Sequence, residues 1–397
     1  MLNDKTFIAP GFGAIKVFFY EKEMFKMLFS NVLNLDVKMA VMWVIGAVLI
    51  YLAIKKDMEP TLLLPLGFGA ILVNLPMSGA VTQVYEGVKE VGALDILFNA
   101  GIANELFPLI LFIGIGAMID FGPLLANPFL MLFGAAAQFG IFITLSLAAL
   151  VGFDLRDAAS IAVIGAADGP TSIFVANYFG SKYLGAIIVA AYSYMALVPI
   201  VQPPVIKLLT TKKERCIHME YTEKQIPQIV KILFPIVITV ITGIVSPRSV
   251  SLIGFLMFGN LIRECGVLSS LSDTAQKVLA NLVTIFLGLT IASKMQADAF
   301  LSVQTLMIIA LGLFAFIFDT AGGVVFAKIL NLFLRKKINP MIGAAGISAF
   351  PMSARVVHKI GLKEDCTNFL LMHSVGVNVS GQIASVIAGG LILNLIG

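Results

Sequence analysis

Long apolar runs recur along the whole chain, and they dictate what it can become. The segments 129–151 and 184–206 carry no charged side chain. Each is long enough to cross a bilayer, which takes about 20 residues as a helix. In hydrocarbon every backbone N–H and C=O needs a partner within the protein, a demand that such runs meet as helices. Ten spans are expected, at about 39–54, 60–76, 105–119, 129–151, 184–206, 226–246, 250–263, 277–294, 303–331 and 367–396. The polar, Gly-containing segment 77–104 is expected to cross nothing, and residues 12–34 read as an interfacial amphipathic helix. Only 13% of the 397 residues are charged and mean hydropathy is +0.97, where soluble domains carry about 25% charged residues. The expected fold class is therefore an all-α polytopic integral membrane protein.

Several function classes drop out at once. A net charge of +4 reads as a topology signal, not as nucleic-acid binding. Cys216, Cys265 and Cys366 lie far apart, and His218, His358 and His373 form no local ligand motif. No GxxxxGK[ST] nucleotide loop is present, which argues against an ATP-driven pump. No apolar run ahead of a small-residue cleavage site opens the chain, so no signal peptide is expected.

One stretch breaks the apolar pattern. Ile164 to Asn177 reads IGAADGPTSIFVAN, with Asp168 in a region that has no other charge from Ala158 to Lys182. A carboxylate at the centre of a membrane helix costs roughly 2.5–3.5 kcal/mol on insertion scales. Gly169-Pro170 follows directly, and proline removes an N–H and disfavours helical geometry before it. The reading is a helix broken at membrane depth over 157–179, its freed backbone groups and carboxylate facing a protein-lined cavity. A kinked helix with Asp168 at an aqueous surface is the alternative; Thr171 and Ser172, extra oxygens beside the break, weigh against it.

A second break echoes the first. Gly165-Ala-Ala-Asp-Gly-Pro compares with Gly343-Ala-Ala-Gly-Ile-Ser-Ala-Phe-Pro inside 338–357. Each is preceded by a long span and followed by one more. Positive charge clusters in 207–224 and at Arg335-Lys336-Lys337, four spans apart, which puts both on the cytoplasmic side. Lys55-Lys56 joins them if 157–179 dips in and returns. The two elements then enter from opposite faces, as an elevator-like inverted repeat with halves 38–225 and 226–397 after an N-terminal segment 1–37. Chance similarity of Gly/Ala-rich segments is the competing explanation.

The polar residues available to such a site are Tyr192, Ser193, Tyr194 and Gln202; Asn339, Ser348, Ser353 and Arg355; and His373, Ser374, Asn378, Ser380 and Gln382. One carboxylate among neutral oxygens suits a hard monovalent cation such as Na+, and scattered Cys and His disfavour zinc. Each hydroxyl alone is as readily packing as ligand. The two tyrosines are alternatively interfacial anchors. Arg355 is either a snorkelling helix-end charge or a fork of donors for a carboxylate or ureido group.

At these residues the chain resembles the β subunits of the biotin-dependent, sodium-pumping decarboxylases, a family that includes the oxaloacetate, methylmalonyl-CoA, glutaconyl-CoA and malonate enzymes. The likeness covers nearly everything after about residue 38. It is carried by AIKKDMEPTLLLPLGFGAILVN (53–74), GAMIDFGPLLANP (116–128), GAADGPTSIFVAN (165–177), INPMIGAAGISAFPMSARV (338–356) and MHSVGVNVSGQIAS (372–385).

The resemblance implies that N-carboxybiotin loses CO₂ at this subunit and that the energy released drives Na+ outward across a bacterial cytoplasmic membrane. It implies catalytic roles for Asp168, Tyr192, Tyr194 and Arg355. Carboxybiotin would meet Arg355 and Asn339, and Na+ would meet Asp168, Asn339, Gly343, Ser348 and Asn378. Tyr194 is the first candidate for a proton relay. Implied partners are a carboxyltransferase (alpha) subunit, a biotin-carrier subunit, a small single-span membrane subunit and further copies of this chain. The rival reading is a secondary transporter moving Na+ with a small organic anion; a purely structural membrane subunit would leave two broken helices without a use.

Overall fold

The computed structural model describes residues 34–85, 87–221 and 225–397. The interfacial reading of 12–34 therefore falls outside the described residues, apart from Asn34. The rest is overwhelmingly helical. Seven helices are long and apolar enough to cross a membrane: Val37–Lys56, Pro128–Val151, Leu184–Leu209, Gln228–Val245, Ser269–Ala292, Val303–Phe333 and Leu371–Ile396.

The expected ten spans all appear as helices, but three are short. Pro60–Val73 has 14 residues, Leu106–Met118 has 13 and Val250–Glu264 has 15. At 1.5 Å per residue a 14-residue helix reaches about 21 Å, well below the ~30 Å of hydrocarbon. Length thus supports seven spans, or eight once Ala93–Ile102 and Leu106–Met118 are taken as one span bent by 63°. The segment 77–104 also holds a short antiparallel hairpin, Gln83–Tyr85 with Val88–Glu90, a small addition to an otherwise all-α membrane fold. Gly87, at φ +83°, makes the tight connection.

Both expected breaks are present. The first element runs as helix Leu155–Ala162, a 3₁₀ turn Val163–Ala166, and helix Gly169–Tyr178. Ala167 adopts a left-handed conformation (φ 53°) and Asp168 an extended one, so the chain reverses there instead of continuing the helix. Pro170, in the first turn of the second half-helix, needs no N–H partner. The second element is a 3₁₀ run Pro340–Gly346, an irregular stretch 347–351, and helix Met352–Glu364.

Two apolar clusters pack around these breaks. One joins the two broken elements to the helices on either side of them, through Phe133, Val163, Phe316, Val324, Ile342, Val377 and Ile383. The other joins helices 37–56, 60–73 and 269–292, through Met42, Leu63, Leu66, Val283 and Leu287. Small residues let backbones approach within the first. A side chain on Gly343 would lie 2.0 Å from the Gly323 carbonyl, and one on Gly381 would lie 2.3 Å from that of Gly346.

Candidate functional site: a buried carboxylate where two broken elements meet

The broken elements touch at their tips. Ser348 N–H donates to the Ala166 carbonyl at 2.9 Å. The carbonyls freed by the second break are collected by amides from neighbouring helices. Asn378 donates to Ala345 O (3.1 Å) and Ile347 O (2.7 Å), Gln202 to Ala344 O (2.7 Å), and Gln382 to Ser348 O. Irregular backbone at membrane depth survives only when paired in this way.

Asp168 lies beside this junction, 3% exposed. It caps the half-helix 169–178: Thr171 N–H donates to Oδ1 (3.2 Å) and the Thr171 hydroxyl to Oδ2 (2.8 Å). A third donor crosses from the last helix, where Ser385 Oγ sits 2.7 Å from Oδ2. The carboxylate thus accepts from two hydroxyls and one backbone N–H, and forms no ion pair among the described residues. It lines a cavity of about 190 Å³ together with Tyr192, Ser348 and Gln382, with Glu59 from the connection before helix 60–73, and with Gln276, Asn281 and Thr284 from helix 269–292. The hydroxyl end of the Tyr192 ring packs against Gly169, where a side chain would come within 2.4 Å of it. The Tyr192 hydroxyl is buried and has no hydrogen-bond partner among the described residues.

Of the residues singled out in the sequence, this cavity gathers Asp168, Tyr192, Ser348 and Gln382. Those that follow do not line it. Asn378 grips the chain on the N-terminal side of Ser348, with its own carbonyl oxygen buried and unpartnered among the described residues. Gly343 serves the close backbone approach to Gly323. Asn339 spends its amide on the carbonyls of Arg215 (2.8 Å) and Ile217 (3.0 Å), tying the start of the second element to the loop after helix 184–209. The Tyr194 hydroxyl is donated to the Ile309 carbonyl, and its ring stacks on Phe316. Arg355 is exposed in a second cavity of about 310 Å³, lined also by Lys56, Lys207, Lys359 and Lys363.

Sequence reading missed several members. Ser385, Glu59 and Asn281 carry no signal along the chain, because each reaches the cavity through tertiary packing. Asp319 had a signal. It is a carboxylate inside the apolar run 303–331, and the test that singled out Asp168 applies to it equally. It is fully buried, and Oδ1 accepts from Ile141 N–H (3.1 Å) just after the helix break at Gln138. Its Oδ2 has no partner among the described residues and abuts Gly165, where a side chain would lie 2.6 Å away.

A multi-pass helical protein that buries one hydroxyl-ringed carboxylate between two discontinuous elements has the architecture of a cation-handling membrane protein. Comparison with known proteins narrows the class. Residues 38–396 match the family model of the Na+-transporting oxaloacetate decarboxylase beta subunit, and the chain belongs to that family. It is 50% identical over 357 residues to the methylmalonyl-CoA decarboxylase subunit beta of Veillonella parvula, covering 90% of this chain and 93% of the relative. It is 49% identical over 358 residues to the glutaconyl-CoA decarboxylase subunit beta of Acidaminococcus fermentans, with the same coverage. It is 43% identical over 420 residues to the oxaloacetate decarboxylase beta chain of Klebsiella pneumoniae, covering 92% of this chain and 97% of the relative.

Proposed function

We propose that this chain is the membrane subunit of a biotin-dependent decarboxylase complex and couples decarboxylation of N-carboxybiotin to Na+ export across a bacterial cytoplasmic membrane. The observation that carries the reading is Asp168 itself: a buried carboxylate, surrounded by hydroxyls, facing a cavity at the junction of two broken helices, in a chain of this family. Na+ is the cargo. Asp168 supplies the charge, and Ser348, Thr171 and Ser385 supply neutral oxygens, a donor set that fits a hard monovalent ion. Asn378, whose carbonyl oxygen has no partner among the described residues, stands beside the second break as a further oxygen outside the cavity lining, while Asn339 and Gly343 hold the second element in shape.

Loss of CO₂ from carboxybiotin consumes a proton. Na+ beside Asp168 adds positive charge to the cavity, and positive charge favours proton release from a nearby hydroxyl. Tyr192 is the relay this geometry favours, because its hydroxyl is free in the cavity while that of Tyr194 is committed to Ile309. Arg355 and the lysines around it form a basic vestibule that suits the carboxylate of carboxybiotin. The halves 38–225 and 226–397 act as inverted repeats, and the joined broken elements shift together against the helices of the second cluster, as in an elevator. The least buried spans, Val37–Lys56 and Gln228–Val245, offer apolar faces to lipid, to the small single-span subunit and to further copies of this chain. The carboxyltransferase and biotin-carrier subunits dock on the lysine-rich face.

The test is biotin dependence. Avidin, which sequesters biotin, should abolish Na+ uptake into inside-out vesicles holding the assembled complex. Uptake that ignores avidin would instead favour a secondary transporter of Na+ with an organic anion.

A further inference from the structure

The Asp168 cavity contains a second carboxylate. Glu59 lines it, although the residue belongs to the short connection between helices 37–56 and 60–73. Its backbone is left-handed (φ 37°), a conformation that costs a non-glycine residue and persists where the surroundings over-determine it. Glu59 occupies the cap position of helix 60–73, yet its side chain makes no capping hydrogen bond. Among the described residues Glu59 makes no ion pair, and Arg355 is the nearby charge that offsets its burial.

Arg355 belongs to the other compartment. On helix 352–364, Arg355, Lys359 and Lys363 repeat every four residues and so share one face. With Lys56 and Lys207 they line the vestibule, whose acids are Asp57 and Glu364. Glu364 is already bonded to Arg215 at 2.8 Å. The vestibule therefore has an excess of cations and attracts an anion. The two compartments adjoin along the chain at two places. Met58 lines the vestibule and Glu59 the ion cavity; Met352 lines the vestibule and Pro351 the ion cavity. Glu59 and Arg355 stand on either side of that boundary.

We propose that Glu59 is a second carboxylate for the cavity's cation and that Arg355 competes with the cation for it until a carboxylate in the vestibule draws Arg355 away. This rests on the reading of the Asp168 cavity as a Na+ site. The arrangement couples two ligands of opposite charge. An anion on Arg355 unmasks Glu59 and tightens cation binding. By linkage the cation tightens anion binding by the same factor, and couplings of this kind amount to about 5- to 150-fold. Na+ is then held firmly only when a carboxylated ligand is in place, which prevents idle leakage.

The experiment is equilibrium binding of ²²Na+ to the purified full chain in detergent, with no carboxylate and then with chemically prepared N-carboxybiotin as the probe. Arg355→Gln should bind Na+ about 5- to 150-fold more tightly than the wild type without any carboxylate. A merely structural arginine would not give a gain. Glu59→Gln should bind Na+ more weakly and lose the response to N-carboxybiotin, and Glu59→Asp should restore part of both. If Glu59→Gln does not fold, Arg355→Gln decides alone. Unchanged Na+ affinity in Arg355→Gln overturns the proposal. Asp168→Asn separates the two readings. If it abolishes binding while the Glu59 and Arg355 variants behave as wild type, only this inference fails. If it leaves binding intact, the cavity is not the Na+ site.

Discussion

Removing the Ser385 hydroxyl tests the site with a single atom. Ser385 Oγ sits 2.7 Å from Asp168 Oδ2 and, among the described residues, is the one donor to that carboxylate from outside its own element. A hydrogen bond to a charged group is worth about 1.5–3 kcal/mol, which is about 10- to 150-fold in an equilibrium constant. Ser385→Ala keeps the charge and the Thr171 donors, so the chemistry can still run, but the ion loses a ligand oxygen and Asp168 loses its tie to the last helix. The expected result is a rise of about 10- to 150-fold in the Na+ concentration for half-maximal carboxybiotin decay. The rate at saturating Na+ should fall by no more than roughly threefold, the pattern of lost binding instead of lost transition-state stabilisation. The assay is decarboxylation by the assembled complex in detergent across a NaCl series, with KCl holding ionic strength constant. Ser385→Thr, which retains a hydroxyl, should stay near the wild type. An unchanged half-saturation in Ser385→Ala refutes the assignment of Asp168 and its hydroxyl shell as the ion site.

Four further outcomes follow from the same structure. Asp168→Asn should insert normally yet show no Na+-dependent decarboxylation, and normal Na+ activation would rule the site out. Gly343→Ala places a methyl 2.0 Å from the Gly323 carbonyl; overpacking costs about 1–3 kcal/mol or more, to be read as a lower Tm in detergent, and a wild-type Tm would mean the two segments are not in contact. Asp319→Ala removes one of the two acceptors of the buried Ile141 N–H, which also bonds the Gln138 carbonyl at 3.2 Å; the expected cost is that of one hydrogen bond, about 0.5–1.5 kcal/mol, in the same measurement, and no loss would show that the Gln138 carbonyl suffices. Cysteines placed at Lys212 and Lys336 should both be labelled from the cytoplasmic face, and labelling from opposite faces would overturn the inverted repeat.

The breaks were legible because they violate a local rule. Asp168 and Gly169-Pro170 together strain an apolar helix, where Asp319 alone or the prolines of helix 184–209 do not interrupt theirs, and the structure breaks the helix at Ala167 and Asp168. The apolar runs likewise located the helices, since burial and backbone pairing act on consecutive residues. What the chain order concealed is which polar groups meet. Ser385 and Asp168 are 217 positions apart, and nothing local distinguishes Ser385 from a serine bonded back to its own helix. Tyr192 and Tyr194 sit two apart, and only the packing of helix 303–333 reveals that the second is engaged by Ile309. Span number was obscured for a similar reason. Hydropathy reports that a segment is apolar, but Pro60–Val73 and Val250–Glu264 can be that short because neighbouring helices cover them.

Side-chain interfaces yield gradually, since each residue can change rotamer as its neighbour moves. The contacts of Gly343 with Gly323 and of Gly381 with Gly346 have no rotamers to change. Backbone rests on backbone, so these joints have no slack: they are either seated or parted, and they cannot creep. If the second broken element moves, these joints pass its displacement directly to helices 303–333 and 371–396, and the last of these carries Ser385. In the proposed mechanism the glycines make the element a push-rod between the basic vestibule and the Asp168 carboxylate.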